Sequence, residues 1–300
     1  MDSAVLRIAV VTTSYPESLG DPSGHFVLAE VTARRNEGHD VEVISPRPGG
    51  AFGWPGVVAR VRAFPLRVFS AARFVHHARI LVERGGFDRV IAHWALPSAL
   101  PIAMSCRSPL EIVSHGGDVR LLAGMPGPLR EAAVAALADR ADVWRFVSDS
   151  LLESLSKRLT HATAAKLGRV ATVVPPPLDL PVLDARDIAE RRTTVGPLYV
   201  SVGRLVQKKR VDRVLLHVAE RRRTGELAEL VVVGDGPELG RLTRLARDLS
   251  VPTRFVGKTT HPEALAWIAA ADALAFASEE EGLSTVLREA AALGTAIVHV

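Results

Sequence analysis

LYVSVGRLVQKKRVDRVLLHVAERRRTGELAELVVVG, residues 198–234, reads as a strand, a turn, a helix and a second strand. The outer runs LYVSVG (198–203) and ELVVVG (229–234) are short, β-branched and closed by glycine, and apolar residues between them recur at helical spacing over about 209–224. Two strands joined through a helix run parallel, because only a long crossover returns the chain to start in the same direction. The alternation continues downstream through a helix near 238–249, TRFVG (253–257), a helix near 262–271, DALAFAS (272–278), a helix near 284–293 and TAIVHV (295–300). Upstream it includes VLRIAVVT (5–12), a helix over 25–38, DVEVIS (40–45), RVIAH (89–93), LEIVS (110–114), a helix over 131–141, VWRFVS (143–148) and VATVV (170–174). The segment PPPLDLPVLDARDIAERRTTVGP (175–197) is proline-rich and then charged, with no apolar period, so it reads as a linker. The fold class is α/β: two Rossmann-like, doubly wound parallel-sheet lobes, residues 1–185 and 186–300. Ligands of such sheets bind beyond the carboxyl ends of the strands, so the cleft between lobes is the expected site.

Composition agrees. A chain of 300 residues, 48% hydrophobic and 23% charged, is long enough for two domains and unlike disordered, collagenous or coiled-coil sequences. Net charge is only +4, which excludes a polybasic nucleic-acid arm. The single cysteine, Cys106, excludes an internal disulfide framework and a multi-cysteine zinc site, and fits a reducing cytosol. The apolar run Val5 to Thr13 has neither the basic start nor the cleavage site of a signal peptide, and no run of about 18 apolar residues exists. These features lead us to expect a cytoplasmic chain, attached at most to a membrane surface.

Six places carry chemistry. In SEEEGLSTVLREAAALG (278–294), Glu281 falls in the loop before a helix and Glu289 in an early turn of it, with Ser284 placed to cap. Free N–H groups from Gly282 and Leu283 onward make an anion site there, and carboxylates beside a phosphate suit the paired hydroxyls of a sugar or ribose; the alternative is a solvated acidic helix start. In VSVGRLVQKKRVDRVLL (200–216), Arg204, Lys208 and Lys209 open a helix, where cations oppose the dipole unless an anion is bound. GDGP (234–237) places Gly236 in another strand-to-helix turn. SYPESLGDPSGHF (14–26) sets Gly20, Gly24 and His25 ahead of a helix, and it matches neither a Walker loop nor a GxGxxG fingerprint. IVSHGGDVRLL (112–122) puts His115 and Asp118 just past a strand, and AHWALP (92–97) does the same for His93 and Trp94.

In this order the motifs resemble the retaining glycosyltransferases of family 4, which have the GT-B architecture. The resemblance also takes in EGHDVEVISP (37–46), RADVWRFVSDSL (140–151) and AADALAFAS (270–278), and so covers nearly the whole chain. It implies a nucleoside-diphosphate sugar donor, UDP- or GDP-linked, and a lipid-linked, polysaccharide or small-molecule acceptor, with no metal and no cofactor. It further implies that Arg204 and Lys209 hold the diphosphate, Glu281 the sugar hydroxyls and Glu289 the ribose. By the same likeness Gly24 lends its N–H to the diphosphate, and His115 lies near the anomeric carbon. His25, His93 and Asp118 are acceptor-side candidates. Two departures stand out: PPPLDL (175–180) replaces a Pro-Asn-Gly-Val-Asp type loop, and Arg210 replaces the usual glycine after the lysine pair. Family members continue beyond the strand at 295–300, so an incomplete second lobe is expected. A nucleotide-sugar epimerase of the same architecture and an inactive nucleotide-sugar-binding module are the alternatives.

Between Arg47 and Ile80 there are six arginines and no Asp or Glu, interleaved with Trp54, Phe64, Phe69 and Phe74. This pattern suits an anionic membrane surface, or a solvated helix whose aromatics pack inward; RNA would also use it, but nothing else points to nucleic acid.

Overall fold

The computed structural model describes residues 4–16, 21, 23–52, 57–178, 180–192, 194–279 and 283–300, with backbone only at 58 and 59. The chain forms two compact units, which part between Pro177 and Leu178.

The first unit is a six-stranded parallel sheet. Its strands are β1 (Arg7–Val11), β2 (Asp40–Ile44), β3 (Arg89–His93), β4 (Leu110–Ser114), β5 (Val143–Phe146) and β6 (Ala171–Val173), in the order β2-β1-β3-β4-β5-β6. The helices are α1 (His25–Asn36), α2 (Val57–Ala63), α3 (Arg67–Arg84), α4 (Leu100–Ala103), α5 (Gly117–Gly124), α6 (Gly127–Arg140), α7 (Asp149–Ser156) and α8 (His161–Val170). A kinked stretch, Ala95–Ala99, in which Leu96 is extended, leads into α4. The inner strands are largely apolar on both faces because helices cover both, with His93, Glu111 and Arg145 among the polar exceptions. On one face Ile8, Val10, Ile91 and Val113 pack against Val27 and Val31 of α1.

The second unit is a five-stranded parallel sheet, β11-β10-β7-β8-β9. Its strands are β7 (Leu198–Val202), β8 (Glu229–Val233), β9 (Thr253–Gly257), β10 (Ala273–Phe276) and β11 (Ala296–His299). Its helices are α9 (Ala185–Arg191), α10 (Val211–Arg223), α11 (Leu239–Asp248), α12 (His261–Ala270) and α13 (Thr285–Ala292). Successive side chains of a strand point to opposite faces, so Leu198 and Val200 pack with Leu265 and Ile268 of α12, while Tyr199 packs with Val214 and Val218 of α10.

The expected linker is only partly one. Its second half holds α9, capped by Asp184, whose carboxylate accepts from Arg186 N at 2.8 Å. Arg191 lies 5.4 Å over the Trp267 ring and Arg192 pairs with Asp272 at 2.5 Å. A helix held by cation–π and ionic contacts needs no apolar stripe, which is why periodicity passed over it. The division expected at 185/186 thus falls at the start of a helix that belongs to the second unit.

Candidate functional site

In the second unit the strand order reverses between β7 and β10, the switch point at which such sheets open a crevice. The chain leaving β7 and the chain leaving β10 line a cleft there: Gly203, Arg204 and Lys209 on one side, Phe276, Ala277 and Ser278 on the other. The structure therefore brings Arg204 and Lys209 together as the sequence suggests. Lys209 stands in a single 3₁₀ turn, Gln207–Lys209, rather than in the following helix, which begins at Val211. Gly236 is needed for packing: a Cβ there would lie 2.4 Å from the Leu205 carbonyl oxygen, so the two turns meet backbone to backbone.

Arg210 occupies the left-handed region at φ 48°, which explains why glycine is the natural residue at this turn. Its guanidinium donates to both carboxylate oxygens of Asp212 at 3.2 Å and to Glu279 Oε1 at 2.5 Å. Glu279 N in turn donates to the Lys208 carbonyl at 3.3 Å. The turn after β7 is thus tied to the segment after β10.

Glu289 lies in the second turn of α13 and is buried, its Oε1 2.7 Å from Nε2 of His261. His261 opens α12, where Thr260 and Glu263 form a reciprocal capping box. Motif reading missed His261; the Thr-x-x-Glu signature that fixes it is visible at 260–263. Ser284 is the residue before α13, but its side chain makes no capping hydrogen bond, contrary to expectation. Leu283 is half-buried beside it, and Glu281 and Gly282 lie outside the described residues.

In the first unit the order reverses between β1 and β3. Gly24 precedes α1 in the left-handed region at φ 73°, against the Ser14 carbonyl. His25 follows it, its ring edge-on to Phe26 at 5.7 Å. His93 ends β3 and His115 follows β4; their rings are nearly parallel (13°), with centres 5.2 Å apart, and meet edge to edge, His93 Nδ1 lying 2.9 Å from His115 Nε2. Phe26 and Trp94 pack on His115 at 4.8 and 4.9 Å between ring centres. Trp94 adopts φ 70°, a strained backbone for a side chain of that size.

His93 and Asp118, expected on the acceptor side, are 0% and 1% exposed, so neither side chain presents a surface to solvent. Asp118 instead accepts N–H bonds from Ala95, His115 and Gly116, which shape the loop that presents His115. Burial raises the Asp118 carboxyl above its usual range despite these bonds. Burial, and next the charge of Arg145, push His93 down to about 3. His115 is held well below the ordinary histidine value by burial, then by His93 and Arg145. Both imidazoles are neutral at pH 7. Arg145, on β5, is itself buried and paired with Glu30 of α1 and with Glu111 of β4 at 3.0 Å. Nothing in the local sequence around Arg145 marked this group, because its two partners come from separate elements, α1 and β4.

A family model described as glycosyl transferases group 1 matches residues 187–300. A GDP-mannose-dependent alpha-(1-6)-phosphatidylinositol monomannoside mannosyltransferase of Mycolicibacterium smegmatis is 32% identical over 317 residues, covering 96% of this chain and 79% of the relative. The chain belongs to the group 1 glycosyltransferases. The glycogen synthase of Mycobacterium tuberculosis (H37Rv) is 29% identical over 98% of this chain and 77% of its own length. Among solved structures, Anabaena HepE in complex with UDP-glucose aligns with a TM-score of 0.66 at 16% identity, over 98% of this chain and 80% of that one, which shows the shared GT-B fold. In this glycosyltransferase the cationic cleft of the second lobe and the histidine pair of the first each lie at the carboxyl ends of their sheet.

Proposed function

We propose that this glycosyltransferase moves a sugar, with retention and without a metal, from a nucleoside-diphosphate donor to a lipid-linked or polysaccharide acceptor. The observation that carries this reading is the pairing of Arg204 with Lys209 in the cleft at the β7/β10 switch point. A guanidinium fork and a lysine point charge in one crevice suit a diphosphate. When the glycosidic bond breaks, the charge developing on the leaving diphosphate would be stabilised there without reorganisation. Retention follows if the acceptor attacks from the face the nucleotide leaves, with a diphosphate oxygen taking the acceptor proton. The related proteins named above include one that is GDP-mannose-dependent and one solved with UDP-glucose, so UDP and GDP are the bases to test.

Titration calorimetry with UDP- and GDP-sugars is the direct experiment. One donor class is expected to bind, and Arg204→Ala or Lys209→Ala to weaken it about ten- to a hundredfold, the size of a charge-assisted hydrogen bond. If none of these donors binds the unaltered chain, the donor site is misassigned.

For the acceptor we infer a peripheral position on an anionic membrane, at its cytoplasmic face. Phe64, Leu66, Val68 and Phe69, on and between α2 and α3, are all exposed. Arg62 and Arg73 are exposed on the flanking helices, Arg67 stacks on Phe64 at 4.6 Å, and Arg79, farther along α3, is paired with Glu83 at 2.9 Å. Phe74 is buried against Phe52 and takes no part; Trp54 lies outside the described residues. No described helix is long and apolar enough to cross a membrane. Co-sedimentation with vesicles containing phosphatidylglycerol should exceed that with pure phosphatidylcholine, and Phe64→Ser with Phe69→Ser should abolish the difference. Equal binding to both vesicles would remove the membrane reading and leave a soluble acceptor.

A further inference from the structure

The buried histidine pair has a proton to place. With both rings neutral, each carries one N–H, and the 2.9 Å contact between His93 Nδ1 and His115 Nε2 uses one of them. If His115 donates, His93 must carry its own proton on Nε2. That atom is buried and has no hydrogen-bond partner among the described residues, so an N–H would be stranded there. If His93 donates through Nδ1–H, Nε2 is left with a lone pair instead. Orphaned buried donors are the rarer fault in folded proteins. The choice rests on the stranded donor: Arg145 lies in the same row of the sheet, since Val113 pairs with His93 on one side and with Arg145 on the other, but its charge is balanced by Glu30 and Glu111.

We infer that His93 is a positioning residue that holds His115 in the Nδ1–H form, so that His115 meets its substrate as a hydrogen-bond donor and not as a base. The remaining nitrogen, Nδ1 of His115, makes no hydrogen bond among the described residues, and the ring is half-buried. Phe26 and Trp94 pack against the ring at tilted angles of 47° and 45°, and Asp118 fixes its backbone, so the proton on Nδ1 has a set direction. The partner it suits is an oxygen of neutral or negative character, such as a sugar hydroxyl or an oxygen acquiring charge as the glycosidic bond breaks. Which oxygen that is rests on the proposed function; the tautomer does not.

Nitrogen-15 NMR of histidine-labelled protein at pH 7 tests the tautomer without substrate, with His115 assigned by loss of its signals in His115→Gln. The expected spectrum shows His115 protonated on Nδ1 and bare on Nε2. In His93→Leu the constraint is gone and His115 should move to the Nε2–H form that free imidazole side chains favour. His93→Asn places an amide N–H where Nδ1–H stood and should keep the original form. In transfer assays kcat should fall about tenfold in His93→Leu, one neutral hydrogen bond's worth, with donor KM unchanged and His93→Asn restored. An Nε2-protonated His115 in the unaltered chain overturns the inference, even if His93→Leu fails to fold. So does an unchanged tautomer in a folded His93→Leu. Absence of any sugar transfer would instead count against the proposed function, since the spectrum is read without it.

Discussion

Gly38 and Gly234 both sit at positive φ, 92° and 134°, yet they answer to different constraints. A Cβ on Gly38 meets nothing within 4 Å, so Gly38→Ala is charged only for the left-handed backbone, about 1 kcal/mol. A Cβ on Gly234 would lie 1.9 Å from the Gly203 carbonyl oxygen, so the β7 and β8 turns must separate. We expect Gly234→Ala to cost about 3 kcal/mol or more and to disturb the cleft beside Arg204. Urea unfolding of the two variants checks this; equal losses would show that the turns do not depend on close contact. At this scale the sequence is legible where chemistry is local. Arg204 with Lys209, and His115 after its strand, could be picked out because the chain places them at strand ends. His93 could be located but not understood, since its role depends on a ring 22 residues away. His261 went unread for the same reason: its partner, Glu289, is 28 residues on.

Among the elements, the turn before α10 makes the sharpest prediction. Arg210→Gly relieves a left-handed residue, a gain of about 1 kcal/mol. It also removes partly exposed ion pairs to Asp212 and Glu279, which works against that gain. Thermal stability should therefore change little, while donor KM should rise several-fold as Glu279 is released from the β7 side. A large drop in melting temperature with unchanged KM would mean that the arginine serves folding and not the site. Strands were the most readable elements: RVIAH and LEIVS match β3 and β4 residue for residue, because sheets buried on both faces write themselves as short runs rich in β-branched residues. Helices held by polar contacts were the least readable. The helix α9 has no buried residue, and α13 starts without the side-chain cap its serine seemed to promise.

For the whole molecule, the distribution of buried neutral histidines predicts unequal lobes in acid. His93 and His115 both belong to the first lobe, and both have folded pKa values below the ordinary 6.5. The charged groups around them are Arg145, its partners Glu30 and Glu111, and Asp118 on the His115 loop. As pH falls below 6.5 the unfolded chain takes up protons that the folded lobe refuses. The stability present above 6.5 is therefore lost on the way down, by about 1 kcal/mol per pH unit for each histidine. In the second lobe the lowered groups are chiefly carboxylates, such as Glu263 and Asp272, whose contribution is lost only from about pH 4.5 downward. His217 is also lowered there, by burial, but it is only half-buried and adds less. Scanning calorimetry at pH 7.5 and 5.0 should show the first lobe's transition falling while the second holds. Parallel shifts would contradict the neutral pair.

The single cysteine has one more consequence. Cys106 is buried, and burial pushes its thiol up, so it resists alkylation at neutral pH. A cysteine introduced on the surface would then be the one that reacts. Parallel sheets direct their chemistry to the carboxyl ends of the strands, which leaves the turns at the opposite ends free for attachment. Glu37 before β2 and Leu227 before β8 are both exposed and lie in such turns. Dyes placed there, one on each lobe, would make the protein its own reporter of lobe movement during turnover, with no native residue to remove first.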